Sequence, residues 1–76
     1  MNKVRRKNLQ SIADQLEYLK TQIEDICSDE EEYRDNIPEN MQGSERYEKA
    51  DTACDNLSDA VDNLEEVIYS IESAIE

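Results

Sequence analysis

The chain has 76 residues, of which 37% are apolar and 37% charged, and its net charge at pH 7 is −12. A chain this short forms one domain, and its acidity disfavours direct binding to nucleic acid or to an anionic membrane. It has no histidine and one glycine, which removes the usual general base and any phosphate-binding glycine loop. We therefore expect no enzymatic activity and no cofactor.

The first predicted helix runs from about residue 3 to residue 36. Apolar residues recur at alternating steps of three and four from Leu9 to Ile37, interrupted only at Glu30, which is the pattern of a coiled-coil seam. The pattern predicts that two columns of side chains, each repeating every seven residues, face a partner helix. The first column contains Leu9, Leu16 and Ile23, and the second contains Ile12, Leu19, Ile26 and Tyr33. Ala13 and Cys27 widen this stripe on one side.

The first helix begins with a basic cluster that opposes the helix dipole. Its members are Lys3, Arg5, Arg6 and Lys7. In an antiparallel hairpin the end of the second helix would lie beside them, so we expect Glu72 and Glu76 to be the negative charges near this cluster. A contact with nucleic acid or a membrane is the alternative interpretation of the same cluster.

A turn over residues 37 to 43 is predicted from the only proline and the only glycine of the chain. Pro38 should stop the first helix near Asn36, because the residue before a proline avoids the helical region. Asn36 and Glu39 have the spacing of a small capping box, which predicts a single helical turn between the helices. Gly43 can adopt a positive φ, and Ser44 is a favourable N-cap for a second helix.

The second predicted helix covers about residues 44 to 75 and continues the three–four alternation from Tyr47 to Ile75 without interruption. A third apolar column also repeats every seven residues: Ala53, Ala60, Val67 and Ala74. This stripe is wider than one partner helix requires. The sequence therefore predicts an all-α fold, an antiparallel two-helix coiled-coil hairpin that dimerises into a four-helix bundle.

The residues expected at the dimer interface combine the third column with nearby positions. They are Ala13, Ala53, Ala60, Val67 and Ala74, with Tyr18 and Tyr69 outside the main seam. Cys27 and Cys54 come close together when the two helices are folded about the turn. We expect both to be buried thiols that pack as small apolar side chains, and a disulfide is the alternative.

The centre of the chain resembles a known group of sequences. It reads Asn36-Ile37-Pro38-Glu39-Asn40, and after a short gap Ser44-Glu45-Arg46-Tyr47. These residues are similar to a family of small acidic helical-hairpin proteins from Gram-positive bacteria and their phages and mobile elements. The resemblance implies the hairpin fold and a bacterial source, and it implies no activity because the family has none assigned.

The function expected from these features is that of a protein–protein interaction or oligomerisation module. We expect a homodimer in the cytoplasm, with no membrane and no nucleic acid bound directly. Any different protein partner should carry a basic surface. One alternative is a nucleic-acid mimic that blocks a basic DNA-binding protein, since duplex DNA is a dense line of negative charge. Another is a small regulatory protein that covers its target through Tyr18 and Tyr69.

Overall fold

The computed structural model describes all 76 residues and consists of two long helices joined by a short turn. Helix α1 spans Lys3–Asp35, a single 3-10 turn spans Glu39–Met41, and helix α2 spans Glu45–Ile75. The molecule measures 59 × 15 × 13 Å, so two helices of roughly 50 Å each lie side by side. The predicted all-helical fold is confirmed. Neither helix carries an apolar stretch long enough to cross a bilayer.

Both helices begin with a side-chain cap. The Ser44 hydroxyl accepts a hydrogen bond from the Tyr47 N–H at 3.3 Å, which confirms the predicted N-cap of α2. At the start of α1 the Asn2 side-chain oxygen accepts from the Arg5 N–H at 2.8 Å, a cap that was not predicted from the sequence. Each cap satisfies one of the backbone donors that the first turn of a helix leaves free.

The basic start of α1 forms no ion pair with the end of α2. The ion pairs of the molecule involve Lys20, Arg34 and Lys49, so Glu72 and Glu76 make no direct ion pair with the cluster. All four bases of the cluster are exposed. Solvated charges gain little from an exposed pair, and the Asn2 cap already stabilises this terminus.

The chain leaves α1 at the predicted place. Asn36 is the C-cap, and its N–H donates to the Glu32 carbonyl at 3.0 Å. Ile37, which is 2% exposed, anchors the turn beneath the hairpin. The 3-10 turn after Pro38 is closed by the Met41 N–H, which donates to the Pro38 carbonyl at 2.8 Å.

Two details of the turn differ from expectation. Asn36 ends α1 rather than opening the next turn, and no side chain caps the 3-10 turn, so the expected capping box with Glu39 is wrong. Gly43 does not adopt a positive φ. The single 3-10 turn already reverses the chain, and Ser44 enters α2 from an extended conformation, so no left-handed residue is required.

The α2 side of the seam has the predicted alternation. Ala50, Cys54 and Ile68 are buried, and the other apolar positions of the alternation are half-buried. These half-buried positions are Tyr47, Leu57, Val61, Leu64, Ile71 and Ile75. On α1 the predicted first column is likewise half-buried at Leu9, Leu16 and Ile23.

The second column predicted for the α1 side of the seam lies outside it. Ile12, Leu19, Ile26 and Tyr33 are 45%, 48%, 58% and 43% exposed, so their assignment to the hairpin seam is wrong. Their place is taken by the next column around the helix, in which Ala13 and Cys27 are buried and Lys20 and Arg34 are half-buried. The small side chains of Ala13 and Cys27 let the two helices approach each other closely. The long side chains of Lys20 and Arg34 reach acids on α2.

Candidate interaction surface

Ion pairs across the two helices define one side of the hairpin, here called the polar face. Lys20 Nζ lies 3.3 Å from Glu65 Oε1, and Arg34 Nη1 lies 3.0 Å from Asp51 Oδ1. Both basic side chains are largely covered, with 12% and 22% of their surface exposed. These contacts reflect the antiparallel pairing of α1 with α2, since a residue late in α1 meets one early in α2.

Neighbouring carboxylates keep both bases of the polar face protonated. The pKa of Lys20 is raised, first by its hydrogen bond with Glu17 and also by that with Glu65. The pKa of Arg34 is raised in the same way, mainly by Asp35 and then by Asp51. These two residues therefore act as fixed cations that hold the helices in register rather than as proton donors.

Two free thiols lie in the seam beneath the polar face. Cys27 and Cys54 are 8% and 4% exposed, and the structure contains no disulfide. Burial raises the pKa of both thiols, and the Cys27 thiol donates a hydrogen bond to Glu31 Oε1 at 3.4 Å. A protonated buried thiol packs as a small apolar side chain, as expected from the sequence.

The thiols should consequently resist modification in the folded protein. At pH 7.5 we expect an aromatic disulfide reagent to react with Cys27 and Cys54 at least about 100-fold more slowly than in guanidinium, because reaction requires local opening. Because folding raises both pKa values, the stabilisation from these buried neutral thiols is complete below about pH 8.5 and is lost as the pH rises through the folded-state values.

The measurement is the absorbance of the released thiolate over time, together with unfolding titrations at pH 7.5 and 10. A Ser73→Cys variant supplies an exposed thiol near the end of α2 and should react within the mixing time. Reaction of the native pair at the rate of the Ser73→Cys thiol would contradict the burial of Cys27 and Cys54.

The opposite side of the hairpin is defined by Tyr33 and Arg46. The Arg46 Nε–H donates to the Tyr33 hydroxyl at 2.6 Å, and the guanidinium lies 5.1 Å from the centre of the ring. Tyr33 belongs to the exposed α1 column, and Arg46 lies seven residues before Ala53. The exposed α1 column and the third column of α2 therefore share one side of the molecule.

Seven-residue steps from that contact trace the rest of this side, here called the apolar face. Because the helices are antiparallel, each step of seven residues toward the start of α1 matches a step of seven toward the end of α2. From the Tyr33–Arg46 contact these steps place Ile26 beside Ala53, Leu19 beside Ala60 and Ile12 beside Val67. The apolar face thus combines one column of large side chains with one column of small ones. Its members are Ile12, Leu19, Ile26 and Tyr33 on α1, and Ala53, Ala60, Val67 and Ala74 on α2.

The rims of the apolar face are polar but mostly uncharged. On α1 the flanking column is Asn8, Gln15, Gln22 and Asp29, and on α2 it is Lys49, Asn56, Asn63 and Ser70. Every acid of α2 falls on the remaining sides of that helix. Depletion of charge around an apolar centre is typical of a protein interface and unlike the rest of this acidic molecule.

Carboxylates concentrate on the outer surface of α2. Asp62, Glu65 and Glu66 line a shallow open hollow together with Tyr69 and Ser70. Tyr69 is the only apolar residue that lines the hollow, and no three histidine, cysteine, aspartate or glutamate side chains of the molecule converge as metal ligands would. This surface is a solvated acidic face.

The structure separates the residues expected at a dimer interface into three groups. Ala13 is 2% exposed inside the hairpin and cannot contact a second chain, so its assignment to the interface is wrong. Tyr18, 64% exposed, lies beside Leu19 at the edge of the apolar face, whereas Tyr69, 72% exposed, lies among the acids of α2. The remaining four, Ala53, Ala60, Val67 and Ala74, form the α2 half of the apolar face.

The α1 half of the apolar face was missed, because its large side chains were assigned to the hairpin seam. One signal in the sequence distinguishes the two columns. Lys20 and Arg34 stand seven residues on from Ala13 and Cys27 respectively, opposite acids of α2 in the antiparallel register. This column alternates small residues with bases that face acids, which suits two closely packed helices. The neighbouring column of large residues then lies outside the seam.

No protein-family model matches this chain, and no curated protein or solved structure shows significant similarity to it. The resemblance to small acidic hairpin proteins of Gram-positive bacteria and their phages therefore stays a prediction. The geometry of the apolar face is the basis for a functional proposal.

Proposed function

We propose that this protein is a protein–protein interaction module that pairs with a second copy of itself. Two hairpins pack through their apolar faces and form a four-helix bundle. The observation that carries this proposal is the exposed column Ile12, Leu19, Ile26 and Tyr33, whose side chains are 43% to 58% exposed in the single chain. Contiguous apolar surface of this kind is uncommon on a monomeric protein and marks an interaction site.

The large accessible surface of the single hairpin supports the proposal that it has a binding partner. Its accessible area is 5694 Å², whereas a compact monomer of 8.8 kDa exposes about 4,800 Å². The side of the hairpin that carries the apolar face has the outline of the whole molecule, 59 Å by 15 Å, or about 900 Å² in projection including its polar rims. A stable interface buries about 800 Å² on each partner, so this side of the hairpin, apolar face and rims together, has room for one.

The chemistry of the face favours a second copy over a basic protein. A basic partner would be drawn to the carboxylates, which lie mainly on the other sides of the hairpin, and not to a face bounded by amides. A second copy presents large side chains next to small ones in the same spacing. Large residues such as Leu19 can then fill the space above small ones such as Ala60.

Charge density does not favour nucleic-acid mimicry. A net charge of −12 along 59 Å corresponds to one net charge per about 5 Å, and two parallel copies to one per about 2.5 Å. Duplex DNA carries one per about 1.7 Å. The acidic surface is thus less dense than the polymer it would imitate, and it leaves the apolar face unexplained.

The proposal is tested by the mass of the protein in solution. Light scattering at 10 µM and 200 µM, with and without reducing agent, should give twice 8.8 kDa. The reducing agent should have no effect, because Cys27 and Cys54 are buried within one hairpin. A mass of 8.8 kDa at both concentrations would contradict self-association and with it this proposal.

A further inference from the structure

Resting on that dimer, we infer that the two hairpins pack with both turns at the same end, so that α1 of each copy lies over α2 of the other. The opposite arrangement, with the turn of one copy beside the termini of the other, would place α1 over α1 and α2 over α2. Both arrangements have two-fold symmetry and bury the same face. The size and the charge of the side chains distinguish them.

The size of the side chains favours turns at the same end. In that arrangement Leu19 lies over the partner's Ala60, and Ile26 lies over the partner's Ala53, so that a large residue meets an alanine at the two central levels. In the opposite arrangement large residues meet large ones across α1, and alanines meet alanines across α2. The two helix pairs would then need unequal separations, whereas alternating sizes fill both gaps evenly.

The charges on the rims independently favour the same arrangement. With turns together, the α1 rim meets the α2 rim of the partner level by level. Asn8, Gln15 and Gln22 then lie opposite Ser70, Asn63 and Asn56 of the partner subunit. At the last level the only acid of the α1 rim, Asp29, lies opposite the only base of the α2 rim, the partner's Lys49.

The opposite arrangement leaves those two charges without counterparts. Asp29 would lie opposite the partner's Gln15, and Lys49 opposite the partner's Asn63. Both residues are exposed in the single hairpin, where Lys49 contacts Glu45 within its own helix, 3.0 Å away. Asp29 has no ion pair of its own. Only the arrangement with turns together gives Asp29 an opposite charge across the interface.

Distance measurements between spin labels test this orientation directly. One label is placed in the turn through Gln42→Cys, and in a second sample one is placed near the end of α2 through Ser73→Cys. Both variants carry Cys27→Ala and Cys54→Ala, and their masses are checked by light scattering. With turns together, each sample should give a distance below about 30 Å between copies, since packed helices are about 10 Å apart.

A long distance in both samples, close to the 59 Å length of the molecule, would overturn the orientation while leaving the dimer intact. A single-chain mass with no distance between copies would overturn the proposed function itself. The two failures are therefore distinguishable in the same samples.

A charge exchange tests the rim contact. Asp29→Lys should raise the dimer dissociation constant about 10-fold, because two like-charge contacts replace two attractive ones. Adding Lys49→Glu should return the dissociation constant to within about two-fold of the original. Asp55→Lys, an equal change of charge away from the apolar face, serves as the control and should not weaken the dimer. If Asp29→Lys weakens the dimer no more than Asp55→Lys does, the contact with the partner's Lys49 is refuted.

Discussion

Replacing Ile68 with alanine should destabilise the protein by about 2–5 kcal/mol, the largest effect expected from any single truncation within the two helices. Ile68 is 6% exposed and is the only large apolar residue of either helix that is buried. The protein has only six buried residues, so few neighbouring side chains can move to fill the cavity that Ile68→Ala would leave. For a domain of this size the midpoint of thermal unfolding should fall by about 8–40 °C.

The neighbouring tyrosine provides a matched control for Ile68→Ala. Tyr69 is 72% exposed on the acidic side of α2, so Tyr69→Ala should change the free energy of unfolding by less than about 0.5 kcal/mol. Guanidinium titrations monitored by circular dichroism, at one protein concentration, measure both variants. Equal losses for Ile68→Ala and Tyr69→Ala would mean that the seam does not bury Ile68 as described.

Replacing Leu19 with glutamate should separate the proposed dimer. Leu19 is 48% exposed at the middle of the apolar face, so the substitution places two unpaired carboxylates at the centre of the interface. Burial of unpaired charge costs several kcal/mol for each group, and the dissociation constant should rise by at least about 1,000-fold. Light scattering at 200 µM should then give the mass of one chain, 8.8 kDa.

Thr21→Glu is the control for this experiment, because it adds the same charge two residues away on the outer side of α1. Thr21 is exposed and its hydroxyl donates only to the Glu17 carbonyl of its own helix, at 3.1 Å. Leucine and glutamate have similar helix propensities, so loss of helix formation in α1 does not explain a difference between the variants. A Leu19→Glu protein that keeps the double mass would show that the apolar face is not the interface.

The periodicity of the sequence was sufficient to predict the two helices, the turn and the α2 side of the seam. In α2 most of the large apolar residues occupy the positions of the three–four alternation. The sequence therefore indicates a single side of α2 that faces α1. Local chemistry was equally informative at the turn, where Pro38 excludes helix from Ile37 and Ser44 caps α2. Each of these features depends on residues close in sequence.

The orientation of α1 could not be predicted in this way, because two columns on either side of Leu16 are compatible with a helix partner. A hydrophobicity pattern ranks the column of Leu19 above that of Lys20, and the structure places Lys20 in the seam. Which column faces α2 depends on the distance between the two helices and on the position of Glu65 on α2. Neither can be deduced from the sequence of α1 alone. The apolar face was therefore only half predicted.

The unequal distribution of charge around the hairpin limits how far assembly can proceed. Only one side of each copy is apolar, so in the proposed dimer a second copy would cover it and leave no equivalent surface for a third. Such a pair would carry a net charge of −24, twice the −12 of one chain, with carboxylates over most of its outer surface. Mutual repulsion between pairs would then oppose filaments and precipitation, and the assembly would end at two chains.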